Sequence, residues 1–130
     1  MIFLDSNAII SLLKGEKKIG LILKKRTDSL AITSLNLFEI KCGLEYYRFK
    51  GYTSSEEQLL SKLNLFKQFE LTSQASLYSA TIWAELKVSG KMIKTIDLLI
   101  AGIILSNGYS SILSNDKHFD QITGITRISY

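Results

Sequence analysis

Four carboxylates in this 130-residue chain stand where chemistry is commonly built. Asp5 follows the apolar run Ile2-Phe3-Leu4, and Asp116 follows Ser111-Ile112-Leu113 by way of Ser114-Asn115. Glu39 lies two turns into the segment after Leu30-Ala31-Ile32-Thr33, and Asp97 opens the apolar stretch 96–105. If these acids meet, they cannot all stay ionised without a cation, because like charges a few ångströms apart raise one another's proton affinity. A hard divalent ion with oxygen ligands resolves that conflict, and Mg²⁺ takes few carboxylates together with water and substrate phosphate. Such a centre activates water and stabilises an in-line displacement at phosphorus. Each acid also has a purely local role open to it. Asp5 suits the N-cap of a following helix, and Asn36 and Glu39 stand at a capping-box-like spacing. Asp116 suits a turn, and Asp97 suits the positive end of a helix dipole near Thr95. The residues alone leave open whether the four converge.

The elements that must position them read as alternating strands and helices. Ile2-Phe3-Leu4 has the continuous apolar pattern of a strand buried on both faces. Asp5-Ser6-Asn7 then supplies capping chemistry for a helix carrying Ala8, Ile9, Leu12 and Leu13 inward as far as Gly15. A second short helix covers 17–25, a strand Leu30–Thr33, and a longer helix Ser34–Phe49 with Leu37, Ile40, Leu44 and Tyr47 on one stripe. Residues 51–55 read as a loop, 55–66 as a helix, Phe69-Glu70-Leu71 as a short strand and 73–88 as a helix stopped by Ser89-Gly90. Thr95 caps a helix through Leu105, closed by Asn107-Gly108. Ser111-Ile112-Leu113 and 125–128 are the last strands. This alternation predicts a single α/β domain over 1–130, with a mainly parallel central sheet flanked by helices. In such sheets, ligands bind beyond the carboxyl ends of the strands, where Asp5 and Asp116 fall.

Composition narrows the classes further. The chain is 46% apolar and 22% charged with no proline, which excludes a disordered chain and Pro-rich docking segments. Net charge is +4, and all of that excess lies in residues 1–26, where six bases face two acids; the rest balances ten against ten. Cys42 is the only cysteine, which excludes an internal disulfide and a cysteine-based metal site and points to a reducing, cytoplasmic setting. The first residues lack the basic segment of a secretory signal, and the most apolar stretch is ten residues long and interrupted by Asp97, too short to span a membrane. No Walker A, Gly-x-Gly-x-x-Gly or Gly-x-Ser-x-Gly pattern is present, which argues against nucleotide-driven and serine-hydrolase chemistry.

Four motifs in order carry a family resemblance. They are Ile2-Phe3-Leu4-Asp5-Ser6-Asn7; Ile32-Thr33-Ser34 leading to Glu39-Ile40-Lys41-Cys42-Gly43; Ile96-Asp97-Leu98-Leu99-Ile100-Ala101; and Ile112-Leu113-Ser114-Asn115-Asp116-Lys117-His118-Phe119. The chain resembles PIN domains, and specifically the small ribonuclease toxins of VapBC-type toxin–antitoxin pairs. The resemblance implies an acidic centre of Asp5, Glu39, Asp97 and Asp116 holding one or two Mg²⁺ or Mn²⁺ ions. In it Asp5 and Asp97 are the direct ligands, Glu39 orients the attacking water, and Asp116 completes a second position or acts through water. Ser6, Asn7, Ser114 and Asn115 match polar positions beside that centre and orient carboxylates or substrate. The implied reaction is hydrolysis of RNA to a 5′-phosphate and a 3′-hydroxyl. A homodimer is implied as well, with an antitoxin segment across the active-site groove. Asp-Ser-Asn stands where Asp-Thr-Asn is commoner, and Leu98, Leu99 and Gly102 depart from the usual third motif. In some relatives the fourth acid falls two places later, where this chain has His118.

The remaining features carry less. Lys14, Lys17, Lys18, Lys91 and Lys94 either guide an RNA backbone toward the acids or are a solvated face. Tyr46, Tyr47, Phe49 and Tyr52, interleaved with Arg48 and Lys50, suit helix packing or a subunit contact better than base stacking. Three other functions remain open: a non-catalytic RNA-binding or interaction module of the same fold, a housekeeping RNA-processing nuclease, and a metal-dependent phosphatase or DNA-directed flap nuclease. The complete acid set favours catalysis over the first.

Overall fold

The computed structural model describes every residue except Thr53 and Ser54, together with the side chain of Glu56. The loop expected over 51–55 therefore lies partly outside the described residues. In chain order the elements are β1 (Ile2–Leu4), α1 (Ser6–Leu13), α2 (Lys17–Lys24), β2 (Leu30–Thr33), α3 (Ser34–Phe49), α4 (Glu56–Leu63), β3 (Lys67–Phe69), α5 (Ser73–Val88), α6 (Thr95–Ser106), β4 (Ser111–Leu113), a 3₁₀ turn (Lys117–Gln121) and β5 (Thr126–Ile128).

The five strands form one parallel sheet in the order β3-β2-β1-β4-β5. Because β1, β2 and β4 are apolar on both faces, each face of the sheet must be covered. Ile2, Leu4, Ile32 and Leu113 point to the side holding α1 to α4, with Ala8, Ile9, Ile19, Ile40 and Leu63. Phe3, Ala31 and Ile112 point to the other side, against Ala75, Ile82 and Leu86 of α5 and Leu98, Ile100, Ala101 and Ile104 of α6. The alternation of strand side chains thus divides the core in two.

Helix α6 is apolar nearly all round because it lies between the sheet and α5. The two helices approach closely where Ser79 donates to the Ala75 and Leu98 carbonyls, each at 3.0 Å. Gly102 faces that point, and a Cβ there would fall 1.9 Å from Ser79 Oγ. This packing places the first turn of α6, and with it Asp97, at the carboxyl end of the sheet.

Several boundaries differ from the sequence reading. The third strand is Lys67–Phe69 rather than 69–71, because the edge ladder pairs Ala31 with Lys67 and Thr33 with Phe69. Lys67 and Gln68 are exposed there, so the strand lacks the apolar run that marks its neighbours. Helix α4 stops at Leu63 rather than 66. Thr95 is the first residue of α6, and Lys94 takes the cap position without a side-chain bond. The 3₁₀ turn has no counterpart in the sequence reading; it buries Phe119 and is capped by Asp116.

Candidate active site

The chain runs from β1 outward to β2 and β3, then returns to build β4 and β5 on the other side of β1. The reversal puts a switch point of the topology at the carboxyl ends of β1 and β4, the usual ligand position in an open parallel sheet. Leu4 pairs with Leu113, so Asp5 and Ser114 leave neighbouring strands side by side.

Asp5 is both a helix cap and a site residue. Its Oδ1 accepts the Ala8 N–H at 2.6 Å, and its Oδ2 accepts the hydroxyl of Ser114. The side chain is buried, and that burial raises the carboxyl above its ordinary value. Hydrogen bonds from Ser114 and Ala8 pull it back, while the charges of Asp116 and Glu39 push it further up. Ser114 Oγ also accepts the Asp116 N–H at 3.0 Å, so one buried hydroxyl joins the first and fourth acids. Asp116 in turn caps the 3₁₀ turn through the His118 N–H at 2.9 Å, and His118 Nδ1 lies 2.9 Å from the same Oδ1. Arg127 holds this corner from below. Its Nη1 donates to the Ser114 carbonyl at 3.1 Å, and Nε and Nη2 grip Asp120 at 2.9 Å each.

At the start of α1, Ser6 Oγ donates to Glu39 Oε2 at 2.5 Å and accepts from Asn36 Nδ2 at 3.1 Å. The capping box of α3 is made by Thr33 and Asn36, not by Asn36 and Glu39 as the spacing suggested. Thr33 ends β2 and caps the helix, which leaves Glu39 free of capping and directed at Ser6.

Asp97 stands differently. Burial lifts its carboxyl, and the charges of Asp116, Glu39 and Asp5 add to the rise; Lys94 opposes it, and the pKa is pushed up to about 6. Its Oδ2 is buried and has no hydrogen-bond partner among the described residues. Asp97 therefore lies within electrostatic reach of the other three acids, Asp5 within reach of Asp116 and Glu39, and Asp97 keeps an unsatisfied oxygen.

The other sequence candidates are placed variously. Asn7 is exposed on α1, and Asn115 is exposed with its Oδ1 accepting the Tyr130 N–H at 2.9 Å rather than serving the acids. Lys14, Lys17, Lys18 and Lys91 are exposed. Lys94, also exposed, is near enough to Asp97 to act on its charge. Asn36 and Arg127 contact residues of the candidate site, Ser6 and Ser114, and the sequence reading missed both contacts. A threonine at the end of β2 followed three residues later by a polar side chain was the signal for Asn36; Arg127 gave none, since its partners Asp120 and Ser114 lie outside its own strand at no regular spacing.

No curated protein sequence matches the chain. A family model for the PIN domain matches residues 2–125. The chain belongs to the PIN-domain family. Among solved structures, this PIN domain is similar to VapBC2 from Rickettsia felis bound to a DNA fragment from their promoter, with a TM-score of 0.77 and 22% identity over 100% of this chain and 99% of that one. DNA-bound VapBC from Salmonella typhimurium gives 0.78 at 24% identity over 99% and 98% of the two chains. VapBC-1 from nontypeable Haemophilus influenzae gives 0.76 at 25% identity over the same shares. The family match and these neighbours agree with the sequence expectation of a PIN-like α/β fold.

Whether this PIN domain's acids suit a metal ion can be tested on their chemistry. Among the described residues, no three Asp, Glu, His or Cys side chains form a ready-made cage. Three of the four acids already accept hydrogen bonds, and Asp97 alone presents a buried, unpartnered oxygen. That set fits a hard ion held by one or two carboxylates and completed by water and substrate, the habit of Mg²⁺, rather than a closed protein cage. No helix among the described residues is long and apolar enough to cross a membrane.

Proposed function

We propose that this PIN domain is a divalent-metal-dependent endoribonuclease, acting in the cytoplasm as the toxin of a toxin–antitoxin pair. The observation that carries the reading is Asp97: a buried carboxylate oxygen without a partner, whose ionisation is made costly by burial and then by the other three acids. A cation is the group that relieves both conditions at once. Asp97 and Asp5 would hold it, with Asp116 and Glu39 at the margin. When bound, Mg²⁺ or Mn²⁺ polarises a phosphate oxygen and lowers the pKa of water.

The chain's own residues supply the rest. Glu39, held on Oε2 by Ser6, takes the proton of a water aimed at phosphorus. The water oxygen bonds to phosphorus and the P–O3′ bond breaks. The 3′-oxygen leaves, is protonated from solvent, and a 5′-phosphate remains on the other fragment. Ser114 ties the Asp5 carboxylate to the Asp116 backbone, and the His118 N–H holds the Asp116 carboxylate, so that their repulsion is not relieved by turning apart. Lys94 beside Asp97, with Lys91, Lys14 and the lysines of α2, attracts the RNA backbone. A homodimer and an antitoxin laid across the acids extend the same reading; the antitoxin is supported by similar solved structures that are toxin–antitoxin complexes. A basic antitoxin side chain there would compete with the metal for the acids.

The test is cleavage of structured RNA, DNA and a small phosphomonoester with and without Mg²⁺. Mg²⁺-dependent cleavage of RNA alone supports the reading. Turnover of DNA or of the monoester in preference to RNA would replace it with a flap nuclease or a phosphatase. Binding of RNA without turnover would make the domain a binding module.

A further inference from the structure

We propose that Asn36 is a positioning residue for Glu39, acting through the hydroxyl of Ser6; this rests on the nuclease reading above. Asn36 is fully buried, with none of its surface exposed. The Thr33 N–H can only donate, so the atom 2.7 Å from it must be the amide oxygen, which also takes the Thr33 hydroxyl at 2.8 Å. That assignment turns the amide nitrogen toward Ser6, 3.1 Å away. An amide nitrogen has only hydrogens to give, so Ser6 Oγ must accept there. A hydroxyl has one proton, and Ser6 directs it to Glu39 Oε2 at 2.5 Å. The polarity of the whole chain, from Thr33 through Asn36 and Ser6 to Glu39, is thereby set by a backbone N–H at the end of β2.

Capping alone does not explain this residue. A capping box needs only an acceptor at the third helical position, which serine, aspartate or glutamate supplies. The donor end of the amide is surplus to the cap, yet it is buried and aimed at a hydroxyl that touches a site carboxylate. Without it, the Ser6 hydroxyl is free to rotate away, and Glu39 loses the bond that holds it.

Four variants test the inference: Asn36→Asp, which keeps an oxygen toward Thr33 and removes the obligatory donor; the neutral Asn36→Ser; Ser6→Ala; and Ser6→Thr, which keeps the hydroxyl. Steady-state RNA cleavage with Mg²⁺ should show kcat lowered about 10- to 100-fold in the first three, the range for partners that orient a ligand, with KM little changed. Ser6→Thr, which restores the hydroxyl, should recover most of the kcat that Ser6→Ala loses. The Asn36→Asp/Ser6→Ala double variant should be no worse than the more impaired single, since both act on one contact. Folded Asn36 variants with wild-type kcat would overturn the inference, as would losses that multiply with that of Ser6→Ala. Unfolding of both Asn36 variants would overturn it too, reducing Asn36 to a cap. Absence of cleavage by the wild-type chain is a separate result and would strike the nuclease reading itself.

Discussion

Replacing Gly102 by alanine sets two effects of opposite sign against each other. In an unobstructed helix interior, Gly→Ala stabilises by about 1 kcal/mol. In α6 the added methyl would lie 1.9 Å from Ser79 Oγ, 2.5 Å from the Ala75 carbonyl oxygen and 3.0 Å from Ser79 N. The hydroxyl can rotate away, but only by giving up its bonds to the Ala75 and Leu98 carbonyls, worth about 1 kcal/mol together in a buried setting. The Ala75 carbonyl is backbone and yields only if α5 and α6 separate, and overpacking of this kind costs about 1–3 kcal/mol. The penalty exceeds the propensity gain, so Gly102→Ala should destabilise by about 1–3 kcal/mol, a fall in Tm of about 4 °C for each kcal/mol in a chain of this size. Urea titration and thermal melting read this directly. Adding Ser79→Ala should restore part of the loss, because it removes the hydroxyl conflict and leaves the carbonyl one. A Gly102→Ala protein as stable as wild type, or more stable, would refute the close approach of α5 and α6 that positions Asp97.

Other outcomes follow from the site. The Asp97 carboxyl has an ordinary value of 3.8 and a folded value of about 6, so between those pH values the native state holds a proton that the unfolded chain has released. Stability contributed here therefore falls as pH rises through that window, and Asp97→Asn should be more stable than wild type above pH 6 but not below pH 4 in urea titrations without metal. Ser114→Ala removes a bond that lowers the Asp5 carboxyl, so the acid limb of the pH–rate profile should move to higher pH; an unmoved limb would contradict the Ser114–Asp5 contact. If Lys17 and Lys18 each meet a phosphate, exchanging both for glutamine should lower the slope of log Kd against log salt by about 1.4, at about 0.7 for each contact on single-stranded RNA. An unchanged slope would return those lysines to a solvated face.

The sheet is legible in the sequence where strands are buried on both faces, as in Ile2-Phe3-Leu4 and Ser111-Ile112-Leu113, because a short apolar run met by capping or turn residues fits little but a central parallel strand. Legibility fails at β3, where Lys67 and Gln68 sit on an exposed edge and the ladder to β2, not hydrophobicity, decides the register. The acids are visible as residue types after strands, but their relation is not. The separation of Ser6 from Glu39 by 33 positions, and of Asp5 from Ser114 by 109, hides contacts that only the crossing of β1, β2 and β4 creates. Asn36 misleads for a local reason: two capping partners, Thr33 and Glu39, stand at the same spacing on either side of it, and the structure chooses Thr33. Asp5 suits two competing roles in the sequence, and it fills both with different oxygens.

The proposed metal-dependent ribonuclease centre at Asp97 is tested most directly by RNA cleavage with wild type and Asp97→Asn at matched Mg²⁺. The Mg²⁺-induced change in Tm is recorded on the same samples. Wild type should cleave RNA only with Mg²⁺ and gain stability from the ion, whereas Asp97→Asn should stay folded and do neither. Undiminished cleavage by a folded Asp97→Asn protein would contradict the assignment.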